Sequence, residues 1–281
     1  MIRGRDAAVA SGLHRRGVPK HECGPAAAGT ASGRVPPMQP QPRPLAYDRA
    51  GFCPICEAEV RFTATEAWFR DFLRCSGCGS IPRERALALV LEARFPDWRK
   101  RAIHESSPAD RGISAKLRRE CPGYLGTQFF PGAAPGAEVQ GFRNENLEAL
   151  TFPDASFDLT VTLDVMEHVN QPDVVLREVS RTLKPDGAYL FTVPTYKHLV
   201  ASERRSHYRP DGSIEHFAEP EYHGNPVSDQ GSLVTFHYGY DFAELISAWA
   251  GLDVEIVRFH DHRHGVIGDF TEVYVAIRSG E

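Results

Sequence analysis

No stretch of this sequence approaches the roughly 18 consecutive apolar residues that a membrane-spanning helix needs, and its first residues lack the apolar segment of a secretory signal. The expected compartment is therefore the cytoplasm, with no membrane partner. Positive charge is not in excess either: 32 Lys and Arg stand against 37 Asp and Glu, a formal net charge of −5. An overall pull toward polyanions is excluded, so contact with nucleic acid would need a local basic patch. Cysteine is scarce, and four of the six cysteines fall in two close pairs, which suits metal ligation in a reducing compartment better than a disulfide framework. Glycine is missing where a nucleotide loop would want it: "AIHESSPADRG", residues 102–112, contains no glycine fingerprint.

At 281 residues the chain has room for one catalytic domain and a small module. Residues 1–46, rich in Gly, Ala, Pro and Arg, show neither helical nor strand periodicity and read as a disordered tail. Met38 is an alternative working start. Residues 47–98 form a cysteine-based module followed by a helix, with Ala86, Leu87, Val90, Leu91 and Phe95 at helical spacing. Residues 99–281 alternate strand-like and helix-like segments, the pattern of a mostly parallel sheet with helices on both faces. "FDLTVTL" reads as a buried strand. Pro172 opens a helix with Val175, Leu176, Val179 and Leu183 on its apolar face, and "KPDG" stops that helix before the strand "AYLFTV". "DFAELISAWAG" predicts a helix closed by Gly251, and "DVEIVRF" with "TEVYVAI" predicts a final antiparallel hairpin. The fold class expected is thus α/β and doubly wound, preceded by a small zinc-ribbon-like module. Residues 195–240 form a long polar and aromatic insertion, a length that in a compact domain is usually functional.

Cys53, Cys56, Cys75 and Cys78 give C-x2-C-x18-C-x2-C. Each pair can chelate from a tight turn, and four thiolates complete the closed tetrahedral shell of structural zinc. No coordination position is left open for catalysis, so this metal's expected work is to fold the module. Cys23 and Cys121 lie outside the pattern.

"ENLEALTFPDASFDLTVTLDVMEHVNQPDVVLREVSRTLKPDGAYLFTVP" resembles the second half of class I S-adenosylmethionine-dependent methyltransferases, specifically the methyltransferase type 11 group, with its acidic residue, "LPF", "FD", "EH" and "LKPGG" in order. "CPIC…CSGCGS.PRERAL" also looks like the zinc-ribbon segment that precedes such domains in some bacterial members. In such sheets the ligand lies outside the carboxyl ends of the strands. The resemblance places Glu105 opposite the methionine ammonium, with Ser106, Ser107 and Pro108 in the turn beside it. It places Gln128 at the ribose with Phe129 against the base, Asn146 and Leu147 at the adenine edge, and Asp164 beneath the methyl donor. The chain departs from the family in three ways: Ser and Ala stand where the turn usually has glycines, Gln128 carries no charge, and "PGAAPGAEVQG" is too short for a full crossover helix.

Methyl transfer needs a nucleophile aligned with a sulfonium methyl and a route for its proton. Glu167 and His168 are the catalytic candidates by resemblance, since "EH" at this place in related O-methyltransferases lies close to the acceptor and can help bind a metal or serve as base, and His223 joins them from the insertion, where Tyr222, His223 and Asn225 suit a hydroxylated acceptor and His216 and His237 lie nearby. The expected activity is methylation of a small or glycan-like acceptor. An RNA methyltransferase gripping nucleic acid through "FRDFLRC" and "PRERAL" is the alternative enzyme. A zinc-ribbon binding protein with a catalytically silent methyltransferase-like domain is the alternative from another class.

Overall fold

The computed structural model describes residues 45–225 and 228–280, with the side chains of residues 225, 228 and 229 left aside. Residues 1–44 of the tail proposed from its composition, with the start at Met38 and Cys23, lie outside the described residues, whereas Ala46 at its end donates its N–H to the Ala64 carbonyl at 2.8 Å. The described residues fall in one compact unit.

Strands β1 (Tyr47–Cys53) and β2 (Ala58–Ala64) make an antiparallel hairpin, and β3 (Arg74–Cys75) pairs with β2. A single turn, α1 (Phe69–Phe72), precedes β3. Helix α2 (Pro82–Arg94) begins with proline, whose missing N–H costs nothing in the first turn, and the Glu84 carboxylate accepts the Ile81 N–H at 3.0 Å.

The main sheet is built from β4 (Ile103–Ser106), β5 (Tyr124–Gln128), β6 (Glu138–Val139), β7 (Phe142–Asn144), β8 (Phe157–Leu163) and β9 (Leu183–Thr192), with α3 (Gly112–Glu120) after β4 and α4 (Pro172–Thr182) after β8. The insertion contributes short antiparallel pieces: β10 (Glu203–Arg204) with β15 (Phe236–His237), β11 (Ser206–Tyr208) with β12 (Ile214–His216), and β13 (Tyr222–Asn225) with β14 (Ser228–Leu233). Helix α5 (Phe242–Ala250) then leads to β16 (Leu252–Val257) and β17 (Val273–Arg278). Sheet order is β16-β17-β9-β8-β4-β5-β7-β6. Strands β7, β5, β4, β8 and β9 run parallel, and β17 lies antiparallel between β9 and β16. The doubly wound sheet and its closing hairpin are as expected.

Both faces of β9 are buried, and its alternation shows how. Ala188 and Leu190 pack with Ile103, Leu159 and Val161 under α2 and α3, whereas Tyr189 and Phe191 pack with Val175, Val179 and Ile246 from α4 and α5. The loop from β16 to β17 returns over the cysteine hairpin, where Phe52 N–H donates to the Arg263 carbonyl at 2.8 Å and the buried Arg85 guanidinium donates to the carbonyls of His264, Gly265 and Leu73. Module and sheet therefore share one core.

One boundary differs from the sequence reading. "KPDG" lies inside β9 rather than before it: Leu183 already pairs with Phe157, and the register resumes at Leu159 with Ala188. The extra residues form an irregular step in which Asp186 takes φ +60°, so proline and glycine here mark a bulge and not a gap between elements. As its length implied, the link from β5 to β7 holds no helix. The Asn144 side chain orders it instead, accepting from Phe130 N–H and donating to the carbonyls of Ala133 and Ala134. Among the described residues no helix is long and apolar enough to cross a membrane.

Candidate functional site

The four paired cysteines converge, their sulfurs all within 4.8 Å of one another. Cys53 Sγ lies 3.8 Å from Cys78 Sγ, and Cys56 Sγ lies 3.6 Å from Cys75 Sγ. Four sulfurs about 2.3 Å from a tetrahedral ion would stand about 3.8 Å apart, so the spacing is that of an ion cage. Backbone N–H groups of Cys56 and Gly77 point at Cys53 and Cys75 sulfurs, which favours thiolates. Gly77 is required here because a Cβ would come within 2.9 Å of the Cys56 sulfur.

On the main sheet, the carboxyl ends of β4, β5, β7 and β8 bring the donor-side candidates to one edge. Ser107 leaves β4 with φ +60° and donates its N–H to Thr127 O at 2.8 Å, so a serine holds the left-handed conformation expected of glycine. Gly112 supplies the other turn position at φ +60°, and a Cβ there would lie 2.6 Å from the Glu84 carboxyl carbon. Ser106 and Gln128 are buried, whereas the Phe129 ring beside Gln128 is 44% exposed. Asn146 accepts the Glu148 N–H through its side chain, and Leu147 is buried in the core under α4.

Glu105 is fully buried. Its carboxylate accepts from Ser114 Oγ at 2.6 Å and from the Tyr124 hydroxyl at 2.8 Å. Burial pushes its pKa up to about 7 despite these two bonds. Asp164, immediately after β8 with φ +53°, is engaged by cations of the cysteine module: Arg83 Nε at 2.8 Å and Arg70 beside it, with Thr192 Oγ1 donating at 2.9 Å. Burial alone would raise the Asp164 carboxyl, but Arg83 and Arg70 outweigh it and hold it below the usual carboxylate range. Arg70 and Arg83 also share Asp71, and Arg85 is spent on backbone carbonyls. The arginines of "FRDFLRC" and "PRERAL" other than Arg74 thus make bonds within the chain.

A turn of 3-10 helix, Met166–His168, follows Asp164 and aims Glu167 and His168 at the insertion. His223 meets them from β13, its ring edge-on to His168 with centroids 5.0 Å apart. The Glu167 side chain is 2% exposed, and neither carboxylate oxygen has a hydrogen-bond partner among the described residues. His168 Nε2 stands 3.8 Å and His223 Nδ1 3.7 Å from Glu167 Oε1. The other nitrogen of each ring is bonded outward, His168 Nδ1 to the Leu233 carbonyl at 2.9 Å and His223 Nε2 to Glu221 at 3.1 Å.

Sequence reasoning named Glu167, His168 and His223 separately, and the structure brings them together. It also brings His237, which bonds Glu221 at 2.8 Å, but leaves His216 apart on Ser206. Tyr222 is exposed, and the Asn225 side chain is outside those described. Glu221, Arg70, Arg83 and Tyr196 were missed. Tyr196 stacks on His237 at 4.1 Å and approaches Phe270, which in turn meets Trp68 and Arg70. Glu221 had a local signal in the acidic "EPEYH"; the others are tertiary neighbours only.

Residues 125–191 match the family model described as "Methyltransferase domain". Two curated Mycobacterium tuberculosis proteins, both described as uncharacterized, are 48% identical over 40 residues, which is 14% of this chain and 14% of theirs. The match therefore spans about one seventh of those relatives' length. Among solved structures, the Haloferax volcanii complex of the Trm112 methyltransferase activator with a methyltransferase gives a TM-score of 0.47 at 15% identity, over 71% of this chain and 91% of that one. An amino pentose methyltransferase from Micromonospora echinaspora gives 0.45 at 14%, over 72% and 93%. An S-adenosylmethionine-dependent methyltransferase from Mesorhizobium loti gives 0.45 at 16%, over 69% and 97%. At these scores the likenesses bear on neither acceptor nor partner.

Proposed function

We propose that the protein is an S-adenosylmethionine-dependent methyltransferase acting on a small or glycan-like hydroxylated acceptor, with residues 99–281 as its catalytic part and the Cys53, Cys56, Cys75 and Cys78 quartet holding a structural zinc ion for the module of residues 47–98. The observation that carries this reading is that the turn after β4, the exposed Phe129 ring after β5 and the Glu167, His168 and His223 cluster after β8 all follow carboxyl ends of parallel strands, where a doubly wound sheet binds its ligand. The left-handed Ser107 and the glycine-only position at Gly112 support a working turn, because both keep the backbone path that a cofactor tail needs.

S-adenosylmethionine, when bound, supplies an electrophilic sulfonium methyl. Ser106, Ser107 and Pro108 line the methionine tail, with the Glu105 carboxylate behind them. Gln128 offers its amide to the ribose, as donor to one hydroxyl and acceptor to the other. Phe129 covers the base, Asn146 and Leu147 flank the adenine edge, and Asp164, neutralised by Arg70 and Arg83, shapes the floor under the methyl group. Tyr222 and the stacked Tyr196 and His237 rings face a hydroxylated acceptor, to which Asn225 is assigned by its place in the sequence, and Glu167, His168 and His223 orient that acceptor and prepare it for loss of its proton. Polar aromatic walls of this kind suit a sugar or small ring compound better than a lipid. A cytoplasmic setting belongs to the same reading. Gln128→Ala and Phe129→Ala test it: each should weaken S-adenosylmethionine binding at least tenfold in calorimetry, and unchanged affinity in both would show that the cofactor lies elsewhere.

A further inference from the structure

We infer that Glu167, His168 and His223 form a second metal site, separate from the cysteine quartet, that holds a divalent transition-metal ion and leaves positions open for acceptor oxygens. The argument starts from the cost of Glu167. A carboxylate this deeply buried, with neither oxygen hydrogen-bonded among the described residues, is expensive unless a cation or donor faces it. The groups that do face it are two imidazole nitrogens at 3.8 and 3.7 Å, beyond hydrogen-bond reach.

Their outer bonds fix what those nitrogens present. A carbonyl can only accept, so His168 donates from Nδ1 to Leu233 O, and its Nε2 carries a lone pair. Glu221 likewise takes the proton of His223 Nε2, so that in the neutral ring a metal ion would meet, the Nδ1 lone pair points inward. One carboxylate and two lone pairs thus converge within 4.8 Å, each imidazole oriented by an oxygen acceptor as metal-bound histidines are. Ligands about 2.1 Å from a tetrahedral ion stand about 3.4 Å apart, a few tenths of an ångström less than the separation of each imidazole nitrogen from Glu167 Oε1. Two imidazoles and a carboxylate favour zinc or a neighbouring first-row ion over magnesium or calcium. Among the described residues three protein ligands converge, so the ion keeps room for other ligands, unlike the closed thiolate cage. That the open positions take acceptor oxygens rests on the methyltransferase reading; the ion itself does not.

The test is metal stoichiometry of the full chain. After dialysis against zinc, mass spectrometry should find two ions per chain in the wild type and one in each of His168→Ala, His223→Ala and Glu167→Gln, with unchanged circular dichroism. On protein given one equivalent of zinc, enough to fill the cysteine cage alone, Mn2+ added as a probe should give a bound paramagnetic signal lost in Glu167→Gln, and the same signal in wild type and variant would count against the site. One zinc per chain in the wild type, or a second zinc that survives all three substitutions, overturns the site. S-adenosylmethionine calorimetry on the same samples separates the two readings: cofactor binding without a second ion removes this proposal alone, and a second ion without cofactor binding removes only the methyltransferase reading.

Discussion

Arg83 Nε lies 2.8 Å from a carboxylate oxygen of Asp164, tying the first turn of α2 to the end of β8. With Arg70 on the same carboxylate, the cysteine module neutralises the charge at the floor of the proposed donor site. Removing one partner of such a buried pair strands the other charge at a cost of about 3 kcal/mol. Asp164→Asn should lower stability in urea by about that amount and weaken S-adenosylmethionine binding as well. Stability within about 0.5 kcal/mol of wild type would show that the pair is inconsequential.

The cysteine quartet should behave as a folding element. Cys53, Ile55 and Phe62 share a core with Trp98, Leu87 and Ile103, so releasing the proposed zinc ion should loosen one whole face of the sheet. Chelation should lower the thermal midpoint by on the order of 10 °C, and four additional thiols should become reactive. Cys53→Ser should show the lower midpoint without chelator. An unchanged midpoint with the metal demonstrably removed would contradict a structural role.

Glu105 predicts a pH dependence of definite sign. Its folded pKa of about 7 exceeds the ordinary 4.5, so the folded chain keeps a proton that the unfolded chain releases between those values. Stability should be highest below pH 4.5 as far as this group is concerned, fall by about 3 kcal/mol as pH rises to 7, and then level off. Glu105→Gln should abolish that fall, leaving the variant more stable than wild type at pH 8 and nearly equal at pH 5 in urea titrations. A parallel pH profile in the two proteins would refute the assignment.

Gly112→Ala tests the turn before α3. The residue combines φ +60° with a Cβ position against the Glu84 carboxyl group, which itself pairs with Arg111 and caps α2. About 1–3 kcal/mol of backbone strain is expected, with displacement of Glu84 added. A variant as stable as wild type in thermal unfolding would mean the turn is free to rearrange.

Much of the fold was legible because its signals are local. The apolar run of β8, Pro172 at the start of α4, Gly251 at the end of α5 and the repeated Cys-x2-Cys spacing each report an element from within a few residues. The bulge through "KPDG" was not, since proline and glycine read as a break until Leu183 is seen paired with Phe157. The site divides the same way. Glu167 and His168 were marked by their place after a strand, and His223 by the polar composition of its loop. Arg70 and Arg83 were read as a basic patch because the carboxylate that consumes them, Asp164, is distant in sequence and adjacent only once the module has packed on the sheet. Ser107 broke a glycine rule while keeping the backbone conformation that the rule protects.

Binding of S-adenosylmethionine to the full-length, zinc-loaded chain, followed by isothermal calorimetry, tests the account most directly. One equivalent should bind, with affinity reduced at least tenfold in Phe129→Ala. A folded, zinc-loaded protein that gives no binding heat and no rise in thermal midpoint with saturating S-adenosylmethionine would contradict it.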